Sequence, residues 1–255
     1  MPLEIVTLPC LADNYAYLLR DSTTGTVALV DAPETAPIRA ALAARGWRLD
    51  LILLTHHHAD HIQAVEELRK AYVAKVVGAA SDAHRLPRLD QAVREGDRVR
   101  VGEAEGEVLE VPGHTLGHIA FHFADDLAAF TADSLMACGC GRVFEGTHLQ
   151  MWQSLTKFLG MGPATRICSG HEYTEANIRF ALTIEPENPA LQGRAAKVAH
   201  RRAKGEPTVP SLLAGELATN PFLRARLPEV KAALGLEGAD DAAVFAEIRR
   251  RKDRF

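Results

Sequence analysis

The sequence is short of several things, and each shortage removes a class of function. No apolar run approaches the ~18 residues that a membrane-spanning helix needs. The opening "MPLEIVTLPC" has no basic leader and too short an apolar run for a secretory signal, so a cytoplasmic location is expected. Cysteine is sparse: Cys10, Cys138, Cys140 and Cys168 are the only four in 255 residues. That is no disulfide framework, and it fits a reducing compartment. Cys138 and Cys140 form a C-x-C pair, but no second pair completes a thiolate metal site, so free thiols are expected. Basic excess is also missing, with 29 Lys and Arg against 33 Asp and Glu. Neither nucleic acid nor an anionic membrane surface is then an expected partner. Internal repeats and low-complexity segments are absent as well.

What is present is an ordinary globular composition, patterned in two parts. Up to about Tyr173, strand-like runs alternate with helical segments. "YAYLLRD" and "TVALVDA" read as strands around a turn at Thr23–Thr26, and "APIRAALAARG" as a helix stopped by Gly46. "LDLILLT" fits a strand buried on both faces. "HIQAVEELRKAY" predicts one helix, with Ile62, Val65, Leu68 and Tyr72 near one face. "KVVGAA", "GEVLEVPG", "IAFHFAD", "LAAFTAD" and "RICSGHE" are further strand candidates. Beyond Tyr173 the pattern is helical, broken by "EPENP", "KGEPTVPS" and "TNPF". The expected organisation is an α/β domain over residues 1–172 and a helical part over residues 173–255, within a monomer.

Chemistry concentrates in "LILLTHHHADH", Leu51 to His61. Imidazole and carboxylate are the usual ligands of a borderline divalent metal. Alternate residues of an extended segment point the same way, so His56 and His58 can share one metal while His57 points elsewhere. As the chain turns into a helix, Asp60 and His61 can swing towards a second metal. The same context recurs: His114 follows "EVLEV", Asp133 lies in "AAFTADS", and His171 follows "RICSG". Each sits where a short apolar strand ends, so all can converge at one edge of a sheet. His118 is a candidate for orienting a ligand. His122 lies near these motifs but is unneeded for the ligand count, while His84, His148 and His200 read as ordinary polar residues. The basic tail, Arg249, Arg250, Arg251, Lys252 and Arg254, reads as a solvated helix face.

The H-x-H-x-D-H stretch with the later His, Asp and His resembles the metallo-β-lactamase superfamily. "LPCLADNYAYLL", "THHHADH", "GHTLGH", "CGCGRVFEGT", "GHEYT", "GEPTVPS" and "NPFLR" together look like the glyoxalase II (hydroxyacylglutathione hydrolase) family, from about Leu8 to Arg224. That resemblance implies a four-layer αββα sandwich followed by a helical domain. It implies that His56, His58 and His114 hold one metal, that Asp60, His61 and His171 hold another, and that Asp133 bridges them. Zinc fits this donor set, as do iron and manganese. It also implies hydrolysis of S-(2-hydroxyacyl)glutathione, typically S-D-lactoylglutathione, to glutathione and a 2-hydroxy acid. For the glutathione part it points to Arg142, Phe144, Tyr173 and Arg224. Arg142 and Phe144 stand where the family usually has lysine and tyrosine, and Ala132 and Ser134 flank Asp133 where Gly-Asp-Thr is usual. The alternatives within the superfamily are a glutathione persulfide dioxygenase, built around a single iron, or another metal-dependent hydrolase. A nuclease shares the ligand set but would want a basic stripe. A closed structural zinc site would want cysteines.

Overall fold

Residues 3–255 are described in a computed structural model of the chain. Period-two alternation in the strands builds it. The first sheet consists of β1 (Glu4–Cys10), β2 (Asn14–Arg20), β3 (Val27–Val30), β4 (Leu51–Leu53), β5 (Lys75–Ala79) and β6 (Gln91–Val93), adjacent in that order. The second sheet uses β7 (Arg98–Val101), β8 (Ala104–Glu110), β9 (Ile119–Phe123) and β10 (Ala128–Ala132). A small hairpin of β11 (Leu135–Met136) and β12 (Gly139–Cys140) follows. Then β13 (Arg166–Ser169) and β14 (Ser211–Leu212) join the second sheet, whose spatial order is β14-β13-β10-β9-β8-β7.

Each strand presents one set of side chains to either side. Tyr17 and Leu19 of β2 meet Phe121 and Phe123 of β9 and Phe130 of β10 between the two sheets. The intervening Ala16 and Leu18 face outwards onto Ile38 and Leu42 of α1 (Thr35–Arg45) and onto the helix that follows β4. Ala120 and Ala129 face the other way, towards Trp152 and Leu155 of α4 (His148–Thr156) and the C-terminal helices. The result is the expected four-layer αββα sandwich.

Two sequence expectations need correction. The helix predicted over "HIQAVEELRKAY" is broken into α2 (Ala59–Ile62) and α3 (Val65–Tyr72). The cause is the segment just after β3: the Ala32 N–H donates to the His61 carbonyl at 2.7 Å, and the Ala32 carbonyl accepts from the Ala64 N–H at 3.0 Å. These bonds draw both groups out of a continuous helical ladder and point Asp60 and His61 away from the axis of α3. The second correction concerns the helical part. After α5 (Thr174–Ile184) and α6 (Pro189–Ala203), the chain returns to add β14 antiparallel to β13, with Ile167 opposite Ser211. Two residues are too few to show a strand period.

The remaining helices are α7 (Leu213–Thr219), α8 (Pro221–Arg224), α9 (Pro228–Leu234) and α10 (Asp241–Arg254). They lock the β11–β12 hairpin in place. The Asn220 side-chain amide donates to the Met136 and Gly139 carbonyls, at 3.1 and 2.9 Å. Fully buried Glu216 accepts from the Cys138 N–H at 2.7 Å and is neutralised by Arg194. The hairpin leads directly into the loop that carries Arg142 and Phe144. Among the described residues, no helix is long and apolar enough to cross a membrane.

Candidate active site

Strand ends deliver the polar groups. β4 runs into His56 and His58, β8 leads to His114, β10 ends at Asp133, and β13 ends two residues before His171. The structure brings all seven predicted ligands together. His58 Nδ1 lies 3.1 Å from His56 Nε2 and 3.0 Å from His114 Nε2. Beside them, His61 Nε2 lies 3.4 Å from His171 Nε2, and Asp60 Oδ2 is 3.8 and 3.5 Å from those two nitrogens. Asp133 stands between the groups, with Oδ2 3.4 Å from His114 Nε2 and 3.3 Å from His171 Nε2. Gly170 makes room for this: a Cβ there would collide with the Asp133 carboxylate.

The outer ring nitrogens fix which tautomer each imidazole takes. His61 Nδ1 is 2.8 Å from Asp31 Oδ2, His114 Nδ1 is 2.8 Å from the Arg142 carbonyl, and His171 Nδ1 is 2.9 Å from Asp13 Oδ1. With an N–H on each Nδ1, loss of the other ring proton in favour of a bound cation would leave the Nε2 lone pair facing the cluster. Asp31 is itself held by the Thr55 N–H and hydroxyl, at 2.9 and 2.8 Å. It meets the far side of the His61 ring, so it supports the cluster from outside. Asn14 donates to Asp60 Oδ2 at 3.0 Å. His118 stacks on His56 with ring centres 4.7 Å apart, and burial lowers it to about 3, so it packs there as a neutral ring. His57 turns away, as its alternate position predicts, and bonds Asp82 at 2.9 Å.

Electrostatics separates the two halves of the cluster. Burial, reinforced by neighbouring imidazoles, lowers His56, His58 and His114, which are therefore neutral donors. Burial pushes His171 the same way, but Asp133, Asp13 and Asp60 override it and lift it to about 9. Burial opposes the charge on Asp133 too, yet His61, His171 and His114 hold its carboxyl well below the usual range.

The donor set fits metal ions. Nitrogen lone pairs directed at one point, about 3 Å apart, match the roughly 3.3 Å ligand spacing of a tetrahedral site with bonds near 2.0–2.1 Å. Buried Asp133 Oδ1 has no hydrogen-bond partner, which suits an oxygen that a cation would meet. The buried thiols do not compete, because burial lifts Cys138 and Cys140 to about 12 and about 11 and keeps them protonated.

The cluster opens into a cavity of about 360 Å³. Arg142, Phe144 and Tyr173 line it. Tyr173 stacks on His171 with ring centres 4.7 Å apart. Arg224 does not line it. Its guanidinium is spent on a bidentate pair with Glu185, at 2.8 and 2.7 Å, at the C-terminal end of α5. Two cations that do line it are Arg249 and Lys252 of α10, so this part of the basic tail faces the cavity and is not a solvated face. The signal was available: Phe245, Ile248, Arg249 and Lys252 fall at helical spacing on one face, and the first two are core residues. Arg249 is held by Asp253 at 2.8 Å and by the Cys140 carbonyl at 3.0 Å. Burial beside Arg249 and Arg179 lowers Lys252 to about 8.

Residues 12–171 match the metallo-β-lactamase superfamily, the class that this fold and histidine–aspartate cluster define. Residues 172–255 match the hydroxyacylglutathione hydrolase C-terminus. A hydroxyacylglutathione hydrolase of Cereibacter sphaeroides is 64% identical over the full length of both chains. One from Ruegeria pomeroyi is 60% identical over the full length of both, and one from Methylococcus capsulatus 52% identical over 99% of both. Among solved structures, ETHE1 from Myxococcus xanthus superposes with a TM-score of 0.69 at 27% identity, over 98% of this chain and 90% of that one. TTHA1623 in a di-iron-bound form gives 0.57 at 28% identity, over 66% of this chain and 91% of that one. The chain belongs to the hydroxyacylglutathione hydrolase family of the metallo-β-lactamase superfamily.

Proposed function

We propose that the protein hydrolyses S-(2-hydroxyacyl)glutathione, typically S-D-lactoylglutathione, to glutathione and a 2-hydroxy acid, with two divalent metal ions. The observation that carries this is the pair of three-ligand sets meeting at Asp133 on the floor of a cavity with cationic and aromatic walls. In this reading His56, His58 and His114 form one site, Asp60, His61 and His171 the other, and Asp133 reaches both. Zinc suits the imidazole–carboxylate mixture, and iron or manganese is compatible with it.

When bound, the ions supply Lewis acidity, which makes hydroxide available near neutral pH and polarises the thioester carbonyl. The protein contributes the rest. Asp60 and Asp133 lower the net charge of the centre and fix where it sits. Asp13, Asp31 and the Arg142 carbonyl hold the imidazoles so that no reorganisation is needed during reaction. Glutathione carries carboxylates, which Arg249 and Lys252 suit, with Arg142 at the cavity mouth. Tyr173 and Phe144 give the peptide flat walls. The leaving thiolate has a pKa near ~8.5 by the cysteine reference and needs little help from an acid. Residues 1–172 thus carry the chemistry, and residues 173–255 supply Tyr173, Arg249 and Lys252 for recognition.

The test is steady-state hydrolysis of S-D-lactoylglutathione by metal-replete protein, beside a short acyl thioester lacking the peptide. Preference for the glutathione thioester is the expected result. No hydrolysis, with oxygen uptake on glutathione persulfide, would establish the dioxygenase alternative.

A further inference from the structure

His57 lies between two predicted ligands, yet its ring leaves the cluster and joins a charged network on the other side. Its Nδ1 is 2.9 Å from Asp82 Oδ2, and Asp82 is almost fully buried. Arg85 donates through Nε to the other Asp82 oxygen at 2.6 Å. The same guanidinium grips Glu145 with both terminal nitrogens, at 2.5 and 3.1 Å. Glu145 also accepts from the Leu116 N–H at 2.8 Å. Three segments therefore meet at one carboxylate–guanidinium pair: the turn after β5, the turn that carries His114, and the 141–147 loop. Space there is tight, since a Cβ at Gly117 would collide with the Asp82 carboxylate.

The 141–147 loop needs such an anchor. Phe144 is 60% exposed, so core burial does not hold it. It nevertheless stands edge-on to the His114 and His58 rings, with centres 5.3 and 5.9 Å apart. The Arg142 side chain, on the same loop, meets Asp253 at 3.4 Å and the Phe144 face at 5.9 Å. An exposed side chain keeps a fixed place when its backbone is fixed, and Glu145 is the next residue. A bidentate arginine–carboxylate pair sets orientation as well as distance. We propose that Arg85 and Glu145, braced by Asp82 and His57, form a clamp that positions the Arg142–Phe144 wall of the pocket against the metal-binding histidines. The proposal rests on that wall contacting the glutathione part of the thioester. Arg85 and Glu145 are positioning residues and touch no reacting atom.

Arg85→Met and the near-isosteric Glu145→Gln break the pair without facing a metal-directed nitrogen. In metal-replete protein, backbone hydrogen exchange over residues 141–147 should speed up about tenfold in each variant. KM for S-D-lactoylglutathione should rise about tenfold, with kcat within about twofold and metal content unchanged. In a Phe144→Ala background the same substitutions should move KM by less than about twofold, because the wall they position is gone. Unaltered exchange in natively folded variants would overturn the clamp, as would full additivity with Phe144→Ala or a fall in kcat accompanied by metal loss. If the parent protein fails to hydrolyse the thioester, the functional reading fails on its own account. Exchange over residues 141–147 still decides whether the clamp orders the loop.

Discussion

His61, His114 and His171 are each gripped at the ring nitrogen facing away from the cluster, and all three are buried. In the adjoining cavity, the Arg142 and Phe144 side chains are more than half exposed, and Arg142 meets the cluster through its carbonyl on His114. One region is preorganised from inside the fold. The other is assembled from a loop and a helix distant in sequence. A side chain lost from the first should disturb the chemical step itself, while one lost from the second should weaken binding and leave chemistry nearly intact.

The largest break in this contrast is expected from Asp133→Ala. It removes a carboxylate that stands between the two ligand sets, so kcat should fall by about a thousandfold or more, with metal lost from the protein. Kinetics together with elemental analysis check this. Next is Arg249→Ala. Its charge lines the cavity although its nitrogens are shared with Asp253 and the Cys140 carbonyl, so KM for the glutathione thioester should rise about tenfold with kcat little changed, and stability should fall as those buried contacts are lost. Arg224→Ala is the matched control: it should leave KM alone and lower stability by removing the partner of nearly buried Glu185.

A pH profile sharpens the same contrast. Burial lowers Lys252 to about 8, so its charge is present below that pH and lost above it. KM should therefore rise as pH passes about 8, by up to tenfold per unit, and Lys252→Arg should flatten the rise. The smallest effect concerns Ala132, whose φ of 41° lies in the left-handed region beside Asp133. Ala132→Gly relieves strain of about 1–2 kcal/mol. A freer unfolded chain offsets part of that, so a net gain below about 1 kcal/mol is expected in denaturant unfolding.

The same division governs what the sequence discloses. His56, His58, His114, Asp133 and His171 were legible as candidate ligands because each follows a short apolar strand, and parallel neighbours such as β10 and β13 bring such ends to one edge; Asp60 and His61 were legible from their place in the H-x-H-x-D-H run, and they stand on the short helix α2. His57 was correctly set aside by alternation alone. The pocket was less legible because its walls come from elements without a common local pattern. Arg224 matches a motif but sits on a four-residue helix whose guanidinium is turned onto Glu185. Arg249 and Lys252 looked like a charged tail because the run of arginines around them masks the face they share with Phe245 and Ile248. β14 and the break between α2 and α3 are set by partners far along the chain, which local periodicity does not report.

The central claim is that seven side chains form two adjoining metal sites sharing Asp133. Elemental analysis of metal-replete protein, beside His171→Ala, tests it most directly. The account predicts about two divalent ions per chain in the parent and about one in the variant, which keeps the His56, His58 and His114 set. A single ion per chain, unchanged in His171→Ala, would contradict it.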